Sequence, residues 1–162
     1  HFFRDNRDCF QMSVLIGNRL CTHAGVGNDF LKSVGFWKMD SADESIISDY
    51  LNDLFHYKPN EFTFDGSYDR NNTGVIPSYY GDDDWQSPIW IRPKSLQRVN
   101  KKTDLKKNYI QIVGHTQQDH IDIKGKTTGG KYYYIDTLPS GEYLIDVDGE
   151  FEIGYATIVK YI

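Results

Sequence analysis

Cysteine is scarce, with two among 162 residues, and that scarcity excludes a disulfide-stapled scaffold. Cys9 has no further ligands at the tight spacing a zinc site needs. Both thiols read as reduced core residues, Cys21 within the apolar strand run Leu20-Cys21-Thr22. Long hydrophobic runs are missing too: no stretch approaches about 18 apolar residues, which excludes a membrane-spanning helix. A basic stripe is also absent. The chain carries 23 acidic against 18 basic side chains, a net charge of −5, which argues against a dedicated nucleic-acid binder. The opening His1-Phe2-Phe3-Arg4-Asp5 has no charged-then-apolar leader pattern, so the compartment reads as cytoplasmic. Asn71-Asn72-Thr73 matches a glycosylation triplet, but such triplets arise easily by chance in an Asn-rich loop.

What is present is a globular composition: 39% apolar, 25% charged and a high 15% aromatic, mostly Tyr and Phe. A chain of this length buries about two thirds of its extended surface in one core. Ser13-Val14-Leu15-Ile16 and Arg19-Leu20-Cys21-Thr22 flank Gly17-Asn18, which predicts a hairpin with a II′ turn. Ser41-Ala42-Asp43-Glu44 has capping-box spacing with Ser41 as N-cap. Ile46, Ile47, Tyr50, Leu51, Leu54 and Phe55 then repeat at helical intervals, predicting an amphipathic helix over 42–56.

From 58 to 86 the periodicity dissolves into Asn, Asp, Gly, Ser and Tyr, as in a long functional loop. A short helix or turn is expected near 93–99, followed by a lysine-rich surface turn at 101–107. Beyond it, 109–113 reads as a buried strand ending at Gly114-His115. Alternating segments up to residue 162, with turn signals at Gly129-Gly130, Pro139-Ser140-Gly141 and Asp148-Gly149, predict a run of antiparallel strands or hairpins.

Two histidines share one setting, since His23 and His115 each follow a strand and adjoin glycine. A strand-end imidazole either bonds a backbone carbonyl or projects into a cleft, where two such groups on adjacent strands can share a metal ion. Two imidazoles do not complete a divalent site, which needs further oxygen or nitrogen ligands. Arg92, in Ser87-Pro88-Ile89-Trp90-Ile91-Arg92-Pro93, is either a surface ion-pair partner or a bidentate contact to phosphate or carboxylate.

The order of these motifs carries a resemblance. Thr22-His23-Ala24-Gly25-Val26, Ser87 to Arg92, Ile112-Val113-Gly114-His115-Thr116 and Tyr134-Ile135-Asp136-Thr137 together resemble the carboxy-terminal half of a calcineurin-like metallophosphoesterase. The nearest branch is that of serine/threonine phosphatases and symmetrical dinucleoside tetraphosphatases. The resemblance implies an α/β (α+β) fold, the β-rich half of a sandwich flanked by helices. It implies that His23 and His115 bind the second metal of a dinuclear Mn, Fe or Zn centre and that Arg92 contacts the substrate phosphate. Gln117 stands where many relatives outside the phosphatase branch carry a further ligand His; His120 is off register and reads as a loop or strand residue.

The family's amino-terminal motifs (Asp-x-His, Gly-Asp-x-x-Asp and Gly-Asn-His) are not found in these 162 residues. Residues 1–162 are therefore expected to form the carboxy-terminal part of a single domain of roughly 230 or more residues. Such a part alone is expected to be inactive, and to pair with the amino-terminal half or another chain. The expected substrate is a phosphoprotein or nucleotide phosphoester, with no nucleic-acid and no membrane partner. An alternative from a different class is a non-catalytic protein- or sugar-binding module using the Tyr-rich loop 65–85, with Tyr68, Tyr79, Tyr80 and Trp85 as contacts. A third reading is a degenerate phosphoesterase scaffold, against which the joint presence of His23, Arg92 and His115 argues.

Overall fold

A computed structural model describes residues 5–37, 42–62, 83–101, 110–124 and 131–156. Among the described residues the fold is mixed α/β, with the strands in two sheets. The first hairpin forms as its sequence predicts. Strands β1 (Ser13–Ile16) and β2 (Arg19–Thr22) pair antiparallel, Ile16 opposite Arg19 across Gly17-Asn18. Gly17 has φ +59° whereas Asn18 is not among the positive-φ residues, which fits a II′ rather than a I′ turn.

Beyond the hairpin, the expected run of antiparallel strands is corrected. Strand β3 (Ile110–Val113) lies parallel to β2 and parallel to β5 (Lys131–Tyr134), while β4 (Asp122–Lys124) closes the far edge antiparallel to β5. The spatial order is β1-β2-β3-β5-β4. Alternation alone carries no information about strand direction. The long chain excursion between β2 and β3 is what permits the parallel crossover. Strands β6 (Glu142–Val147) and β7 (Glu150–Tyr155) form a separate hairpin, as predicted at Asp148-Gly149.

The register divides the larger sheet into two faces. Leu20, Gln111 and Tyr132 share one row, and Thr22, Val113 and Tyr134 the next row of the same face. Helices cover this face: α1 (Asn28–Ser33), α2 (Glu44–Tyr57) and α3 (Pro93–Lys101). Leu20 joins Phe30, Leu31, Ile47, Leu51 and Leu54 in one buried cluster. Val113, Tyr132 and Tyr134 join Ile91, Leu96 and Val99 in another. On the opposite face, Arg19 reaches the β6–β7 hairpin. Its guanidinium donates to Asp146 at 3.1 Å and to the Gly149 carbonyl, and lies 4.2 Å from the Phe151 ring centroid. Tyr133 meets the same ring edge-on at 4.5 Å. Helices and hairpin thus enclose the central strands from the two sides.

Polar groups fix these layers. Buried Asn100 on α3 accepts from the Asn28 N–H and donates to the Val26 carbonyl and the Tyr132 hydroxyl. Gln111 accepts from the Val26 N–H and donates to its carbonyl. At the outer edge, the Asn52 side chain on α2 accepts from the N–H groups of Met12 and Ser13 and donates to the Ser13 carbonyl.

The N-cap of α2 is Asp43, whose carboxylate accepts from the Ile46 N–H at 3.0 Å; Ser41, the expected cap, lies outside the described residues. Asp43 wins because it stands one residue before the first helical turn and its anion also favours the helix N-terminus. Cys9 is exposed rather than core, and Cys21 is half-buried; both are free thiols. Burial raises the Cys21 pKa despite the nearby Arg19. The lysine-rich turn after Lys101, the Gly129-Gly130 turn and residues 157–162 lie outside the described residues. Among the described residues, no helix is long and apolar enough to cross a membrane.

Candidate functional site

Strands β2 and β3 run parallel with Thr22 beside Val113, so His23 and His115 leave the sheet at the same end. The Gly114 N–H donates to the His23 carbonyl at 3.0 Å, carrying the pairing one step past the strands. A Cβ on Gly114 would sit 3.4 Å from that carbonyl oxygen, at the edge of ordinary van der Waals contact. After His23 the chain turns away: Thr22 Oγ1 accepts from the Gly25 N–H at 3.0 Å, and Gly25 takes φ +101°.

His115 itself adopts φ +66°, a left-handed conformation that a residue with a Cβ enters at a cost of order 1 kcal/mol or more. That conformation brings its imidazole to its partner. Nε2 of His23 lies 2.9 Å from Nδ1 of His115, with ring centroids 4.7 Å apart and planes at 62°.

The segment between the second and third helices supplies the rest of the wall. The Ala24 N–H donates to the Pro88 carbonyl, and the N–H groups of Trp90 and Ile91 both bond back to the Ser87 carbonyl. This compact turn holds the Trp90 ring 5.3 Å from the His115 ring. Arg92 follows directly before Pro93, the first residue of α3. Its guanidinium lies 5.4 Å from the Trp90 ring centroid and donates to Thr116 Oγ1 at 3.2 Å. The three residues singled out from the sequence, His23, Arg92 and His115, are therefore neighbours in space.

The electrostatics follow from this arrangement. Desolvation, then the Arg92 guanidinium, then His23 disfavour the protonated form of His115, lowering its pKa to about 4; Asp136 and the Trp90 backbone pull weakly the other way. The His115 Nε2 is buried without a well-formed hydrogen bond. At neutral pH His115 is uncharged, the form in which imidazole ligates a metal or accepts a proton.

The 2.9 Å separation is that of a hydrogen bond between the two rings, and both nitrogens are of a type that ligates metals. The donor set is only partial: among the described residues, no group of three or more His, Cys, Asp or Glu side chains could hold a metal. Residues outside the described ones would have to supply the remaining ligands.

Sequence reasoning missed three neighbours of the site: Thr116, which accepts from Arg92; Trp90, which bridges Arg92 and His115; and Asp136, which acts on His115 through space. All three stand within the quoted motifs, so the signal was adjacency to the named residues. His120, read as a loop or strand residue, lies in the turn before β4 and pairs with Glu142 at 2.7 Å, away from the other histidines' contact. Of the Tyr-rich loop 65–85, Trp85 is described and exposed, its N–H donating to Asp83; Tyr68, Tyr79 and Tyr80 lie outside the described residues. Comparison of the chain with known protein families, with characterised proteins and with solved structures finds no match to any of them.

Proposed function

We propose that the chain is the carboxy-terminal part of a metal-dependent phosphoesterase with a calcineurin-like sandwich, acting on a phosphoprotein or nucleotide phosphoester in the cytoplasm. The observation that carries this reading is the convergence of His23, His115 and Arg92 at one end of two parallel strands. A helical layer on one face of the larger sheet and a β-hairpin on the other are compatible with part of such a sandwich.

In this proposal His23 Nε2 and His115 Nδ1 hold one ion of a dinuclear Mn, Fe or Zn centre, replacing the hydrogen bond between them. The burial and nearby cation that keep His115 neutral keep its nitrogen available as a ligand. A metal held there would supply Lewis-acid activation of water for phosphoester hydrolysis. Arg92 orients the phosphate and stabilises its equatorial oxygens, and Thr116 and the Trp90 ring hold the guanidinium in place. The remaining ligands would come from the amino-terminal half or from another chain.

The test is manganese-dependent hydrolysis of p-nitrophenyl phosphate by the longest natural chain containing these residues. His23→Ala, His115→Ala and Arg92→Ala are each expected to abolish or strongly reduce turnover. The 162-residue chain alone is expected to remain at background. A metal-free, inactive longest chain overturns the enzyme reading, and robust turnover by residues 1–162 alone overturns the need for upstream ligands.

A further inference from the structure

Between α2 and the segment that follows α1 lies an open cleft of about 400 Å³, lined by Phe36, Trp37, Ile46, Asp49, Tyr50 and Asp53. Its floor is aromatic. Phe36 is buried, its ring 4.8 Å from that of Tyr50, and the Tyr50 hydroxyl donates to the Val34 carbonyl at 2.6 Å, which locks the ring. Its wall is Trp37, 84% exposed, an unusual degree of exposure for so large an apolar side chain. Gly35, at φ +87°, turns the chain so that the indole Nε1 comes within 3.7 Å of where a Gly35 Cβ would stand.

The helical side carries the charge. Ile46, Asp49, Tyr50 and Asp53 fall at i, i+3, i+4 and i+7 of α2 and so share one face. Among the described residues, Asp49 and Asp53, one turn apart and of like sign, make no hydrogen bond or ion pair. Ile46 is 39% exposed beside them. An electron-rich indole face and two unpaired carboxylates around an apolar floor are complementary to a cation carried on an apolar stem. The net charge of −5 favours approach of a positively charged partner.

We propose that this cleft docks a basic peptide segment of a partner protein. An Arg or Lys side chain lies over Trp37 and between Asp49 and Asp53, and a neighbouring apolar residue of the segment covers Phe36 and Ile46. The open shape and the exposed Ile46 favour a peptide over a lone small cation, which leaves the apolar floor uncovered. The surface is independent of the phosphoesterase reading, since none of its residues belongs to the His23–His115–Arg92 cluster.

The test is calorimetric titration of the full chain at low salt with a blocked hexapeptide of alternating arginine and leucine, beside a counterpart with glutamate for arginine. Saturable one-to-one binding of the basic peptide alone is expected. Trp37→Ala and the double variant Asp49→Asn/Asp53→Asn are each expected to weaken it by about fivefold or more, with further loss at high salt. All three side chains are exposed, and unchanged circular dichroism verifies that the variants fold. Binding that survives both variants, or equal binding of the acidic peptide, overturns the proposal. So does arginine amide binding as tightly as the peptide, which marks a small-cation site. Self-association of the chain that Trp37→Ala abolishes also overturns it, because the occupant is then a second copy.

Discussion

Nε2 of His23 lies 2.9 Å from Nδ1 of His115 across 92 residues of sequence. The contact is produced by two parallel strands, the Gly114–His23 backbone bond that carries their pairing past the strand ends, and one left-handed residue. At neutral pH one imidazole donates its N–H and the other accepts, so the pair is a hydrogen bond that a shared metal would replace.

That arrangement makes stability depend on pH. Unfolded, His115 takes up a proton near pH 6.5; folded, it does so only near pH 4. Between these values the unfolded chain binds the additional proton, so this group's contribution is complete above about pH 6.5 and is lost as pH falls toward 4. NMR titration is expected to give His115 a midpoint near 4. Denaturant melts from pH 7 to pH 4 are expected to show a shallower decline in His115→Asn than in the wild type.

Manganese offers a local readout that does not require turnover. Added to the chain, Mn²⁺ is expected to broaden the imidazole resonances of His23 and His115 and to spare His56 and His120. His56 lies beside Asp8 and His120 beside Glu142, outside the pair's contact. His23→Ala is expected to weaken the effect on His115 by about tenfold or more, since one imidazole is then left to hold the ion. Equal broadening of all four rings would show that the pair has no preference for the ion.

Asn100 is expected to be a costly position. Asn100→Leu removes the acceptor of the Asn28 N–H and the donor to the Val26 carbonyl and the Tyr132 hydroxyl, all in a buried setting. A loss of about 2–3 kcal/mol in denaturant unfolding is expected. Burial holds the Tyr132 phenol up to about 12, so it stays neutral over any practical pH range.

Arg19→Met is expected to loosen the β6–β7 hairpin more than the rest of the chain. It removes the bond to Asp146, the bond to the Gly149 carbonyl and the guanidinium over Phe151, while Tyr133 still packs on that ring. Asp146 is partly exposed and can return to water, which limits the loss to about 1–2 kcal/mol. Hydrogen exchange is expected to speed up in 142–155 before it does so in β2 or β3.

Local features were legible in the sequence where local chemistry decides them. The Gly17-Asn18 hairpin, the periodic run in α2 and the strand ending at Gly114 all formed at about the expected places. The short helix Asn28–Ser33 went unseen because its six residues are too few to establish a period, and it is held by Phe30 and Leu31 in the core. Parallel pairing of β3 was not legible either, because strand direction depends on the crossover path. Of the site, the residue types at His23, Arg92 and His115 could be read in advance. Their contact could not, since it depends on the left-handed backbone of His115 and on the turn that bonds Pro88 to Ala24.

The amide of Asn52 occupies the outer edge of β1 much as a neighbouring strand would, engaging both the N–H and the carbonyl of Ser13. The ladder alternates, so the next residue of β1 whose backbone groups point outward is Leu15. Any strand that adds to this edge must therefore start its pairing at Leu15. A single side chain of α2 thus works as a register stop, making one short attachment possible and closing off the sliding alternatives that turn an open sheet edge toward aggregation.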